Sequence, residues 1–338
     1  MRLSVDRLEL RLARPFGISR WTRTSVTNVR VELAGEGLTG RGEACPNARY
    51  GESPEQAITA LQALVLPDGK APDALLAWLD EEAPLLPPSA RSGLEMALLD
   101  RWATAGGLPL YRAFGLEGPR GPRTSYTVGL DTPEAMAEHA RAAASYPVLK
   151  LKLGTEADRE RVNAIRAVTD RPLRVDVNEG WPSAERALAE LEWLATQGVE
   201  LVEQPIPAHR PEEMAWLKAR SPLPLWADEE VTGLEDLPRV AEGYHGVNLK
   251  LDKHGGLGPT RGLLRRAREL GLRVMVGCMV ASSLAITAAA HLALEADLAD
   301  LDGHLLLAED PFEGVLLDHE GHLVLPGRPG LGVLPRRP

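Results

Sequence analysis

Cysteine is almost missing from this chain: Cys45 and Cys278 are the only two among 338 residues. Two thiols cannot build a disulfide framework or a thiolate metal centre, so a reducing cytoplasm is the expected setting. Long apolar runs are missing too. None approaches the roughly 20 residues that a helix needs to cross a bilayer, so no membrane partner is expected. The opening MRLSVDRLEL has charges where a secretory leader needs an apolar core, and no leader is expected either. A formal net charge of −10 leaves no basic surface for phosphate, which argues against a nucleic-acid partner. No His-x-His pair occurs, and zinc is disfavoured.

Lysine is scarce in its own way. Of 38 basic residues only six are lysine, and four of these fall in two short strings, KLK at 150–152 and KLDK at 250–253. Arginine serves wherever a positive charge suffices, whereas lysine can lose its proton inside a protein. In the run YPVLKLKLG, strand alternation puts Lys150 and Lys152 on one face and Leu149, Leu151 and Leu153 on the other.

What the chain does have is ordinary globular composition, with 44% apolar and 25% charged residues. From about residue 124 one plan repeats every 25 residues or so: a short β-rich run, a polar turn, then a helix with apolar residues three and four apart. The runs begin with TSYTVGL (124–130) and VLKLKLG (148–154) and end with LADLDGH (298–304). Eight strands and seven helices predict a parallel barrel, with LLLAEDPFEG too irregular to form an eighth helix. The fold class is therefore α/β, a (β/α)7β modified TIM barrel at 121–305 with an N-terminal α+β capping domain at 1–120. The segment 306–338, with a hairpin at VLLDHEGHLVL, is expected to pack back on the capping domain.

Ionisable residues gather at the carboxyl ends of these strands, where a barrel builds its active site. Asp176, Glu203 and Asp228 end three successive strands at spacings of 27 and 25 residues. Three converging carboxylates repel unless a hard divalent cation joins them, Mg2+ first and Mn2+ as the alternative. Lys152 and Lys250 lie four strands apart in a ring of eight, hence on opposite walls. Two lysines facing one carbon, beside a cation that stabilises the enolate, suit inversion by proton removal from one side and return from the other. Lys150, a like charge close by, is expected to favour the neutral form of Lys152.

These residues, in KLKLG, RVDVN, VEQP, ADE, NLKLDKHGG, VGCMVASSLA, DLDGHLLLAED and PGLGV, resemble the enolase superfamily, muconate-lactonizing subgroup, and within it the dipeptide epimerases of the L-Ala-D/L-Glu type. The N-terminal RPFGISRWTRT and PNARYGES fit as well, so the resemblance covers nearly the whole chain. It implies a cytoplasmic isomerase acting on a small dipeptide from cell-wall recycling, with Lys152 and Lys250 as acid and base and Asp176, Glu203 and Asp228 on the metal. It further implies Asp300 and Asp302 as a clamp for the dipeptide ammonium. Arg20 and Arg23, on a loop over the site, would pair with a substrate carboxylate, and Cys278, Met279 and Ser282 would position the substrate. The chain departs from the pattern at DEE, where the family commonly has DES, so Glu230 is expected to add negative charge near the mouth. N-succinylamino acid racemase, o-succinylbenzoate synthase, muconate cycloisomerase and a non-catalytic ligand-binding barrel are the competing readings. A homo-oligomer is left open.

Overall fold

Eight parallel strands make the frame on which the site is hung: β5 (Tyr126–Val128), β6 (Leu149–Lys152), β7 (Leu173–Asp176), β8 (Val199–Glu203), β9 (Leu225–Ala227), β10 (Gly246–Lys250), β11 (Arg273–Gly277) and β12 (Leu298–Asp300). They follow one another in chain order around the sheet. A parallel bridge between Thr124 and Ala299 brings the two ends together, and Leu301 N–H donates to Thr124 Oγ1 at 2.8 Å. These coordinates are a computed structural model that describes residues 1–67, 72–82 and 85–336; Lys70, Ala83 and the last two residues lie outside it.

Seven strands are each followed by a helix: α5 (Pro133–Ala142), α6 (Asp158–Arg166), α7 (Ala184–Ala195), α8 (Pro211–Lys218), α9 (Leu237–Gly243), the pair α10 (Leu251–His254) and α11 (Leu257–Glu269), and α12 (Ser283–Ala293). Only a short 3-10 turn, Gly303–Leu306, follows β12. The sequence explains the starts and the inward faces. Ser183 accepts a hydrogen bond from Arg186 N–H and Thr132 from Ala135 N–H, as helix caps do. In α7, Ala184, Ala187, Leu191 and Leu194 recur at helical spacing and all are buried. The outward leucines of β6, Leu149 and Leu151, join Val162 and Ile165 of α6 in the main core. Leu201 on β8, Trp226 on β9 and Met275 on β11 form a separate apolar cluster.

Ahead of the barrel, β1 (Arg2–Ile18), β2 (Trp21–Gly35) and β3 (Leu38–Ala44) form an antiparallel sheet. It is backed by α1 (Pro54–Gln62), α2 (Pro72–Glu82) and α3 (Pro88–Ala105), with a last turn α4 (Leu110–Ala113) and the strand β4 (Arg120–Arg123) beyond. The resemblance puts Arg20 and Arg23 on a loop. In the structure β1 and β2 pair down to Ile18 and Trp21, so Ser19 and Arg20 are a two-residue turn at the tip of one long hairpin. The four short strands of the tail are β13 (Phe312–Glu313), β14 (Leu316–Leu317), β15 (His322–Val324) and β16 (Leu334–Pro335). β14 and β15 form the hairpin, and β15 pairs with β4. Further along, Leu110 N–H donates to Gly330 O at 2.8 Å and Leu331 N–H to Asp100 Oδ1 at 2.8 Å.

Buried carboxyls stitch the sheet and α3 to the barrel. Glu95 on α3 accepts from Gly258 N–H at the start of α11, at 3.2 and 3.3 Å, and Asp252 on α10 accepts from Cys45 N–H at 2.8 Å. Burial raises Glu95 to about 7 and Asp252 to about 8. An unfolded chain gives up both protons near pH 4. The native state therefore holds protons that the unfolded state lacks, and stability falls as pH rises toward about 8. Buried His254, His291 and His304 are all shifted down by burial, so above about pH 7 they are neutral in both states and drop out. From pH 7 to 9 the two carboxyls together are expected to withdraw on the order of 2 kcal/mol. Thermal melts read this directly. Asp252→Asn, which keeps an acceptor for Cys45 N–H, is expected to reduce the decline by its own share; an unchanged slope would remove Asp252 from the account.

Candidate active site

Asp176 and Glu203 end β7 and β8 and Asp228 directly follows β9, and these neighbouring strands bring one oxygen of each within 4.8 Å of the others. All three are buried. Asn178 N–H donates to Asp176 Oδ1 at 3.0 Å, and Asn248 Nδ2 donates to Glu203 Oε1 at 2.9 Å. Gln204 aims the third: its Oε1 accepts from Asp228 N–H at 3.0 Å and Glu230 N–H at 3.2 Å. Asn178, Glu179 and Gln204 all hold positive φ directly after their strands, a backbone state that non-glycine residues avoid and that clusters at functional sites.

Four lysines surround this trio. Lys152 Nζ donates to Asp176 Oδ2 at 2.5 Å, and Lys250 Nζ to Asp228 Oδ2 at 2.7 Å. Both line one cavity of about 430 Å³ at the carboxyl ends of the strands, roofed by the β1–β2 hairpin and the segment 45–54. Burial alone would lower Lys250, but Asp228 and Glu203 outweigh it and hold it well above the usual range. Asp228 is correspondingly pulled well down by Lys250 and Lys253 against the cost of burial. Glu203 goes the other way: burial first, then the charge of Asp176, push it up to about 8. Three buried acceptors around the trio, Asn178 Oδ1, Glu229 Oε2 and Asn248 Oδ1, have no donor among the described residues. Carboxylates of this closeness and burial, with spare oxygens beside them, fit a hard divalent cation. A second grouping, Asp318, Glu320 and His322, is more exposed, and the Arg120 guanidinium already contacts all three.

Lys150 shares a face with Lys152, and both reach Asp176 Oδ2, at 3.1 and 2.5 Å, but Lys150 lies deeper. It is 2% exposed, is not on the cavity wall, and donates to Asp300 at 2.6 Å and Glu203 at 2.8 Å, with Asp176 at 3.1 Å. Against the cost of burial, those three carboxylates hold it well above the usual lysine range. It sits as a counter-charge to those three carboxylates. Lys253 is a finding that a straight strand would hide. The chain turns helical at Leu251, so Lys253 swings back to Asp228 Oδ1 at 2.8 Å.

The acids of β12 also divide. Asp300 is occupied, by Lys150 and by Ser125 Oγ at 2.8 Å. Asp302 is held through one oxygen by Thr127 N–H at 2.5 Å, and burial with the neighbouring Asp300 charge raises it to about 6. Arg20 does not point free into the cavity. It donates to Glu179, Glu229 and Asn178 O at 2.8–2.9 Å, which ties the hairpin tip to the barrel mouth. Arg49 reaches the same Glu179 at 3.0 Å. Arg23 is half-buried and stacks on Trp21, 4.3 Å from the ring centroid. Cys278 and Met279 line the cavity, but Ser282 does not: it caps α12 and bonds Glu43. Glu230 is buried against Arg239 at 3.0 Å and does not line the cavity, so the extra negative charge never reaches the mouth. Glu229, its neighbour, does line it. Alternation along the DEE run, with Asp228 fixed as a ligand, would have assigned the two glutamates the other way round because it assumes an extended strand; β9 ends at Ala227.

A (β/α)7β barrel under an antiparallel capping domain, with carboxylates on three successive strands and lysines on the second and sixth, defines a class of acid–base barrel enzymes. Residues 134–337 match the enolase C-terminal domain-like family, and residues 3–115 match the mandelate racemase / muconate lactonizing enzyme N-terminal domain. The chain belongs to the enolase superfamily, mandelate racemase / muconate lactonizing enzyme group. It is 36% identical over 338 residues to the L-Ala-D/L-Glu epimerase of Bacteroides thetaiotaomicron, covering 99% of this chain and 88% of that one. A substrate-liganded L-Ala-D/L-Glu epimerase from Bacillus subtilis superposes with a TM-score of 0.91 at 31% identity, over 99% and 98% of the two chains. A dipeptide epimerase from Methylococcus capsulatus, in complex with Mg and L-Arg-D-Lys, gives 0.90 at 32% identity over 98% and 99%.

Proposed function

We propose that the protein is a metal-dependent dipeptide epimerase that inverts the α-carbon of the C-terminal residue, of the L-Ala-D/L-Glu type. The observation that carries this reading is the pair of lysines on one cavity, each joined to a different end member of the carboxylate trio. Asp176, Glu203 and Asp228 would hold Mg2+, or Mn2+ in its place, and the ion when bound supplies a positive centre that favours loss of the proton next to a carboxylate. Lys152 and Lys250 divide the proton work. A neutral amine takes the α-proton, its electron pair passes into the substrate carboxylate, and the opposite ammonium returns a proton to the other face. Lys250, held charged beside Asp228, stands in the donor state. Asp302 receives the dipeptide ammonium, with Asp300 behind it. The cytoplasm is the compartment, supported by free Cys45 and Cys278, and peptides released from the cell wall are the source of substrate.

Among the described residues of the cavity wall, Arg23 is the guanidinium without a carboxylate partner, and it therefore takes the acidic side chain of the epimerised residue. The test is α-proton exchange in D2O across a panel of dipeptides, with and without chelator. Acidic second residues are expected to exchange fastest, and Arg23→Ala to cost them about tenfold relative to neutral ones. Absence of exchange with every dipeptide in the presence of Mg2+ would overturn the function.

A further inference from the structure

The wall of the cavity beside Asp302 is held from outside the barrel. Glu43 on β3 is fully buried, and both of its oxygens are used. Oε1 accepts from Asn28 Nδ2 at 2.7 Å and from Ser282 N–H at 3.1 Å, while Oε2 accepts from Ser282 Oγ. Asn28 on β2 donates a second bond, to Val280 O at 3.1 Å. Two strands of the capping sheet thus grip residues 280–282, immediately after Cys278 and Met279 on the cavity wall.

That loop is also what Asp302 leans on. A Cβ at Gly303 would lie 2.5 Å from Met279 O and 3.1 Å from Ala281 N, so the two loops pack backbone to backbone. Cys278 Sγ donates to Asp300 O at 3.3 Å. A shift of residues 278–282 therefore moves the cavity wall and the β12 acids together, while Lys152 and Lys250 stay on their own strands.

We infer that Glu43, with Asn28, is a positioning residue: it sets the substrate-binding wall at 278–282 from the capping sheet and touches neither substrate nor metal. The kinetic half of this inference rests on the dipeptide reading above; the other half does not. In a Cys45→Ser background, Cys278 is the only thiol left and reports on the loop. Cys278 is half-buried on the cavity wall, but burial raises its thiol and its proton is engaged by Asp300 O, so it reacts slowly with dithiobis-nitrobenzoate. Glu43→Ala is expected to speed the reaction at least tenfold below the melting transition. Glu43→Gln keeps an acceptor for Asn28 and a partner for Ser282 Oγ, and its rate is expected to stay within twofold of the parent. If Glu43→Ala does not fold, Asn28→Ala, which frees Val280 O, is expected to give at least a threefold increase. On the dipeptide that the parent turns over, Glu43→Ala should raise KM at least tenfold with kcat within threefold, and Glu43→Gln should restore KM. An unchanged thiol rate in Glu43→Ala, or in Asn28→Ala where that stands in, overturns the clamp, as does a Glu43→Gln variant as reactive as Glu43→Ala. A parent that exchanges no dipeptide proton overturns the function and leaves the thiol rates to decide the clamp.

Discussion

Replacing Lys250 by alanine is expected to lower epimerisation by about a thousandfold or more, while one epimer of the substrate still exchanges its α-proton. The magnitude is that of a positioned general acid or base. The asymmetry comes from geometry. Lys152 and Lys250 sit at the ends of β6 and β10, four strands apart, and each is paired with its own carboxylate. With one amine gone, the other still reaches the face it serves. Lys152→Ala should therefore give the converse result, with exchange confined to the opposite epimer. NMR in D2O with each epimer in turn resolves the two cases. Equal loss of exchange from both epimers in either variant would mean that the lysines do not work from opposite sides. Lys150→Ala is not a control for this experiment, because it strips the counter-charge from Asp300, Glu203 and Asp176 at once.

Asp302→Asn is expected to cut kcat/KM for dipeptides about thirtyfold, the value of a charge-assisted hydrogen bond lost from a buried site. Asp302 is the better anchor of the two β12 acids. One of its oxygens is fixed by Thr127 N–H, whereas both oxygens of Asp300 are already engaged. Amino acids with an acylated nitrogen carry no ammonium, so any turnover of N-succinyl or N-acetyl substrates should be spared by the same substitution. Equal damage to both substrate classes would place Asp302 in general upkeep of the site. This comparison also separates dipeptide chemistry from acylamino acid racemisation, which the scaffold alone does not do.

The sequence reveals the parts of this site that repeat with the barrel. Each strand ends where a short β run meets a polar turn, so Asp176, Glu203, Asp228, Lys152 and Lys250 are all readable from one periodicity, and so is the order of the eight strands. What stays hidden is whatever depends on where a strand stops or on a partner far along the chain. Lys253 and Glu230 are misplaced by alternation because β10 and β9 end at Lys250 and Ala227. Arg20 reads as a free guanidinium because Glu179 and Glu229 lie 159 and 209 residues away. Ser282 lies in a motif that points to the substrate, yet its partner Glu43 is on another sheet, 239 residues distant. Gln204 and Asn248 have no charge to betray them, and only their hydrogen bonds show what they orient.

The gathering of lysines at the trio has a spectroscopic consequence. Lys150, Lys152, Lys250 and Lys253 all lie there, and Lys218 is placed apart, with its ammonium on Ala241 O. Protein grown on isotopically labelled lysine would show a handful of ammonium resonances, most of them from the reaction centre. Titrating pH, cation or dipeptide against that spectrum would follow each amine through the cycle without assigning the rest of the molecule.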